Sequence, residues 1–199
     1  MDVTDESHQG GSLMRQSKLT GMMVIVACLV LASYGYAQQD IGLKGAGGKL
    51  GLVDPENVES VIGIGAFADL GTITPQIQLE GNLDFWSKSY KSFGAEVSFR
   101  DIFLGGTVKY MFQTSNPAWR PFAAGGLGFH FVHFKNTGSN FAGSVVMEQS
   151  DVKIGVDLGG GVFYLLNEQI DLLGELKYRI VSDVNQFTLQ AGVLYHLKK

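Results

Sequence analysis

Between residues 41 and 198 the chain repeatedly alternates apolar and polar positions with a period of two. The run QIDLLGELKYRI (169–180) sets Ile170, Leu172, Gly174, Leu176, Tyr178 and Ile180 against Gln169, Asp171, Leu173, Glu175, Lys177 and Arg179. Period two is the signature of a β-strand, whose successive side chains leave by opposite faces. QFTLQAGVLYHL (186–197) sets Phe187, Leu189, Ala191, Val193, Tyr195 and Leu197 against Gln186, Thr188, Gln190, Gly192 and His196. DVKIGVDLGGGVFY (151–164), QIQLEGNLDF (76–85) and DIFLGGTVKYMF (101–112) behave alike, with Lys153, Asp157, Glu80, Asp84 and Lys109 on their polar faces. No segment after Asp40 carries a 3.6-residue apolar stripe.

The pattern predicts eight strands, at about 41–53, 59–70, 74–86, 93–112, 120–134, 150–166, 168–181 and 186–198. Turn-forming clusters separate them, among them DPEN (54–57), SKSY (87–90), TSNPAWRP (114–121), KNTGSNFAGS (135–144) and SDVN (182–185). Short connections make neighbours antiparallel, so the simplest topology is an up-and-down meander. In PFAAGGLGFHFVHF (121–134), Leu127, Phe129 and Phe131 oppose Gly126, Gly128 and His130. The strands at 41–53 and 59–70 are too glycine-rich to orient. The fourth strand slips in alternation at Arg100–Asp101. A β-bulge would absorb the slip; a short turn there would instead give nine strands.

A strand with one apolar and one charged face fits two architectures. A soluble barrel buries the apolar face, and a barrel in lipid exposes it. Charged residues make up only 17% of the chain and hydrophobic residues 45%, whereas soluble domains average about 25% charged. The strands are long enough to cross a bilayer at a tilt, and an even number closes a sheet without edges, as lipid requires. Aromatic residues gather near strand ends: Phe85, Tyr110, Phe112, Trp119, Tyr164, Tyr178, Phe187 and Tyr195 form a candidate girdle. The expected fold is therefore all-β: an eight-stranded antiparallel up-and-down transmembrane barrel. Glu80, Asp84, Lys109, Lys153, Asp157, Asp171, Glu175, Lys177 and Arg179 then face the lumen as a candidate charge network. A soluble barrel around an apolar ligand is the competing reading.

The N-terminal region adds an address. Arg15 and Lys18 precede the apolar run GMMVIVACLVLA (21–32), and Gly35 and Ala37 supply small residues before Gln38. This is the pattern of a secretory signal peptide, expected over 14–37 with cleavage before Gln38. Residues 1–13 read as an upstream extension, since Met14 makes a natural start. Residues 38–199 are then the barrel domain. The one cysteine, Cys28, lies within the apolar run, so the exported chain would hold no disulfide.

Candidate chemistry is sparse. GLKGAGGKLG (42–51) lacks the spacing of a phosphate-binding loop. His130 and His133 are three apart on a strand and cannot chelate one ion together. Glu96, Ser98 and His130 offer an acid, a hydroxyl and a base on adjacent strands, with inward facing expected for all three. A lumen site would be closed to lipid tails, so no catalytic residue and no enzyme activity are assigned. No cofactor or metal is expected, and the absence of a basic run removes nucleic acid as a partner.

NPAWRPFAAGGLGFHF (116–131) and the stretch from GVDLGGGVFY to LQAGVLYHL (155–197) resemble the small bacterial outer-membrane barrels of the OmpA/OmpX-like, porin-like type. The resemblance covers about half of the exported chain and matches the remainder only by strand type. It implies an outer-membrane location, contact with membrane lipid, and help from the barrel-assembly machinery in folding. It also implies termini in the periplasm, with extracellular loops near 54–58, 87–92, 135–149 and 182–185 and periplasmic turns near 71–73, 113–119 and 167–168. Such barrels often finish on an aromatic residue; this chain ends YHLKK, leaving Tyr195 to serve. The implied role is structural or surface-interacting as a monomer, its extracellular partner unspecified. A small passive channel or hydrophobic-solute carrier is the alternative.

Overall fold

The structure is a computed structural model and describes residues 40–56, 58–92, 95–140, 143–182 and 185–197. The expected signal segment lies outside these residues. Eight strands follow one another: β1 (Asp40–Pro55), β2 (Val61–Thr74), β3 (Ile77–Ser92), β4 (Ala95–Met111), β5 (Trp119–Asn140), β6 (Gly143–Asn167), β7 (Ile170–Val181) and β8 (Gln186–His196). Each pairs antiparallel with its sequence neighbours, and β8 pairs with β1 to close the ring. In apolar solvent this closure is obligatory, because an open edge would leave amides and carbonyls without partners.

The faces settle as lipid demands. Leu127 is 63% exposed and Ile154 68%, whereas Lys109, Glu175, Lys177 and Arg179 are each 2% exposed or less. The apolar face points out and the charged face points in. The glycine-rich strands follow the same rule: Leu50, Leu52, Ile62 and Ile64 point outward, and Lys49, Val53, Phe67 and Asp69 are buried. Glycine serves packing at the Phe103 ring, where a Cβ on Gly105 or Gly128 would come within 2.4 and 2.3 Å of it. The inner end nearest the termini is filled by Phe67, Phe122, Ala124, Phe163, Leu173 and Leu194.

Four strands outgrow the ring. β6 pairs with β5 up to Asn140↔Gly143, but with β7 only from Gly155 onward. β4 pairs without interruption on both sides, from Ala95 to Tyr110 with β3 and to Met111 with β5. The fourth strand is therefore single and has no bulge at Arg100–Asp101. The slip in its alternation has another cause. Below that point Asp101 and Lys109 are buried while Ile102, Leu104 and Val108 point out. Above it the outer parity carries Arg100, Ser98 and Glu96, level with Ser87 and Ser89 on β3 and His133 and Lys135 on β5. The inner parity there is aromatic, with Phe99 packed on Phe134 at 5.1 Å and on Tyr90 at 6.4 Å between centroids. The backbone register does not change; the solvent against the outer wall does.

This corrects three expectations. Segments 87–92 and 135–149 are strand rather than loop over most of their length, because their polar residues are the water-facing side of a continuing sheet. Glu96 and Ser98 stand on the outer face, with the barrel wall between them and buried His130. Residues 71–73 belong to β2, which runs to Thr74; irregular register falls at Asp69–Thr74, where Gly71 takes φ +88°.

The face exchange makes Leu104→Arg and Ser98→Arg opposite experiments on one strand face. In lipid vesicles, Leu104→Arg is expected to lose about 2–4 kcal/mol of unfolding free energy, and Ser98→Arg less than about 0.5 kcal/mol. Denaturant titration followed by tryptophan fluorescence checks both; equal losses would refute the exchange.

Candidate functional site

The lumen is the densest collection of chemistry in the molecule. Alternation places one inward side chain per two residues on each strand, and the register decides which of them meet. Lys49 on β1 reaches across the interior to Glu175 on β7 at 2.9 Å and to Asp84 on β3 at 3.3 Å. It also donates to Asn82 Oδ1 at 2.8 Å. Lys109 on β4 pairs with Glu80 on β3 and lies 3.9 Å from Glu175. Lys177 lies 3.1 Å from Glu175. Arg179 pairs with Asp84 and places Nε 3.4 Å from Asp157. Four cations thus stand among four carboxylates.

Aromatic rings frame these charges. The Lys109 ammonium sits 4.5 Å from the Phe122 centroid and 4.7 Å from that of Phe163. The Arg179 guanidinium lies 4.1 Å from the Phe103 centroid, and Phe103 packs on His130 at 4.9 Å. Beside this stack, His130 Nδ1 is 2.9 Å from Asp101 Oδ2, which also accepts a 2.7 Å hydrogen bond from Gln186 Nε2. Trp86 Nε1 donates to Gln186 Oε1 at 3.3 Å. Near the termini Arg120 and His196 both engage Asp171. Ions, amides and rings share this interior, as expected of eight strands, whose interior is just wide enough for side chains to fill.

Of the residues singled out by pattern, Glu80, Asp84, Lys109, Asp157, Glu175, Lys177 and Arg179 meet in the central cluster. Asp171 joins Arg120 instead, and Lys153 lies at the far rim, where it donates to the Ser182 carbonyl at 2.9 Å. Lys49 is central and was not singled out, because the glycines around it erase the alternation of β1. Asp101, His130 and Gln186 form a group that no spacing along the chain reveals.

The aromatic residues lie on the outer face in two belts. Tyr110, Phe112, Trp119, Tyr164 and Tyr195 ring the end near the termini, with Trp119 and Tyr164 in contact at 4.9 Å. Phe85, Tyr178 and Phe187 ring the other end, joined by Phe131. Along β4 the belts are separated by the residues from Ile102 to Tyr110, about 27 Å of strand. Among the described residues no group of His, Cys, Asp and Glu is arranged to hold a metal ion.

A closed ring of tilted strands with an apolar outer band, aromatic belts and a charged interior is a transmembrane β-barrel. The family model described as the outer membrane protein beta-barrel domain matches residues 23–196, and the chain belongs to that family of outer-membrane proteins. Two solved barrels show the fold. Ail, the attachment invasion locus protein of Yersinia pestis, superposes with a TM-score of 0.54 at 13% identity, covering 79% of this chain and 99% of its own. A major outer membrane protein from Thermus thermophilus gives 0.57 at 14% identity, covering 77% and 98%. No curated protein matches the chain.

Removing Arg179 would leave Asp84 and Asp157 facing each other without their common cation. Arg179→Ala is expected to cost about 3–5 kcal/mol of stability, measured by urea unfolding in detergent micelles. Lys91→Ala removes a 3.8 Å pair whose lysine side chain is 76% exposed, and should change stability by less than about 1 kcal/mol.

Proposed function

We propose that this protein is a non-conducting surface-contact barrel, acting as a monomer and inserted by the barrel-assembly machinery with Tyr195 as its aromatic signal. Outer-membrane barrels keep short turns in the periplasm and longer connections outside. On that rule the tall β3–β6 wall projects from the cell and both chain ends of the barrel face the periplasm.

The observation that carries the reading is the edge of β6. From Gly143 to Ile154 no described strand pairs on its β7 side. Twelve residues of edge extend for about 40 Å. Such an edge is a template for an added strand, with main-chain groups supplying affinity and alternate side chains specificity. Glu148, Asp151 and Lys153 place charge along it, a feature that discourages indiscriminate pairing. The outer face of the wall carries Ser87, Ser89, Glu96, Ser98, Arg100, His133 and Lys135, and its inner face sets Tyr90, Phe99 and Phe134 beside Gln149 and Asp151, so the wall stands in water without depending on lipid. The filled lumen favours this role over that of a channel or carrier, and no catalytic role is assigned.

Two measurements test it. In planar bilayers the purified barrel should show no discrete conductance steps; regular steps would favour the channel. Replacing residues 134–149 by a two-residue turn should preserve the heat-dependent gel mobility of a folded barrel. The same change should abolish the adherence conferred on cells that display the protein. Undiminished adherence would exclude the wall as the contact surface.

A further inference from the structure

The barrel mouth nearest the chain ends holds a hollow of about 510 Å³ between the β2–β3 and β4–β5 connections. Asp69, Gln78, Met111 and Arg120 line it from β2, β3, β4 and β5, and Pro75 and Pro117 stand at its sides. Met111 also packs on the core cluster that includes Phe122 and Phe163, so the inner end of the hollow is apolar. Its volume falls within the roughly 300–1,000 Å³ of ordinary small-molecule sites.

The polar groups in the hollow are incompletely partnered. Asp69 is 8% exposed, and its carboxylate accepts one hydrogen bond, 2.8 Å from the Gly71 amide. The irregular register between Asp69 and Thr72 brings that amide within reach, with Gly71 at φ +88°. No cation pairs with Asp69 among the described residues: Lys109 is engaged by Glu80, and Lys44 by Asp40. Gln78 is 9% exposed, and its side-chain amide has no hydrogen-bonding partner among the described residues. A buried carboxylate without a counterion and a buried amide without a partner are both costly. Arg120 pairs with Asp171, whose Oδ2 also lies 2.6 Å from His196 Nε2. That pair engages one terminal nitrogen of a guanidinium with five donors, and the Arg120 side chain stays 38% exposed.

We propose that this hollow binds a short zwitterionic peptide, its ammonium against Asp69 and the Gln78 carbonyl and its carboxylate against the open donors of Arg120. The ammonium supplies the counterion that Asp69 lacks, through charge-assisted hydrogen bonds. The carboxylate takes guanidinium donors that Asp171 leaves over. Asp69 and Arg120 stand on β2 and β5, three strand spacings apart, about 14 Å of sheet. The charged ends of a single amino acid lie too close together to meet both. Those of a dipeptide or tripeptide separate by up to about 3.5 Å per residue, and Met111, Pro75 and Pro117 offer apolar contact to the side chains between them. The site lies at the opposite end of the barrel from the β6 edge. A detergent-solubilised barrel presents both ends, so the binding test is independent of orientation in the membrane.

The test is equilibrium dialysis of the refolded full chain in detergent against labelled trialanine, its N-acetylated form and its C-terminal amide. Wild-type protein should bind trialanine about tenfold more tightly than either blocked form. Asp69→Asn should erase the preference over the acetylated peptide and keep that over the amide, and Arg120→Gln should do the reverse. Gln78→Leu removes no hydrogen bond of the folded chain and should weaken trialanine about tenfold. Heat-dependent gel mobility verifies that each variant is folded; if Arg120→Gln does not fold, Asp69→Asn and Gln78→Leu still decide. No retention of trialanine at millimolar concentration, equal binding of the three peptides by wild-type protein, or an unchanged pattern in Asp69→Asn would overturn the site. Full displacement of trialanine by an equal concentration of ethylamine would also overturn it, in favour of a simple amine site.

Discussion

Hydrocarbon offers a peptide bond nothing to hydrogen-bond, and this constraint governs the structure. It forces the eight strands to close, since an unpaired strand edge in the membrane would leave a row of costly donors and acceptors. Closure then divides each strand into an inside and an outside. Lipid accepts the apolar parity and leaves the charged parity to fill a narrow interior. There Lys49, Lys109, Lys177 and Arg179 stand among carboxylates, and Arg179 lies over the Phe103 ring. The ion-pair cluster follows from the closed ring, and its mutual compensation keeps those charges tolerable.

The same constraint explains where the barrel stops being a ring. Above Gly155 on β6 the sheet no longer needs closure, because water can satisfy an open edge. β3 to β6 rise there as a wall, and their faces exchange character: Arg100 and Lys135 outside, Phe99 and Phe134 inside. One continuous sheet obeys two solvents in succession. The boundary between them falls at Arg100–Asp101 on β4. The open edge of β6 is a consequence of a sheet that outgrows its membrane.

The legible part of this architecture was local. β7 and β8 could be oriented from their residues because both faces are chemically distinct along their length. The Arg100–Asp101 slip was visible too, but its cause was not. A bulge and a change of solvent produce the same break in alternation, and only an unbroken hydrogen-bond ladder distinguishes them. β1 and β2 could not be oriented, since glycine declares no face, and Lys49 was overlooked for that reason. Composition made 135–149 read as loop, although turn-forming residues can continue a strand whose neighbours pair with it.

The sequence by itself determined the number and order of strands and the face each clear strand turns to lipid, because period and solvent preference act within a few residues. Tertiary structure decided which charges meet. Lys49 and Glu175 lie 126 residues apart, and Trp86 and Gln186 lie 100 apart; only ring closure and register bring them together. It also decided where lipid gives way to water, because that height depends on how far neighbouring strands extend and not on any residue alone.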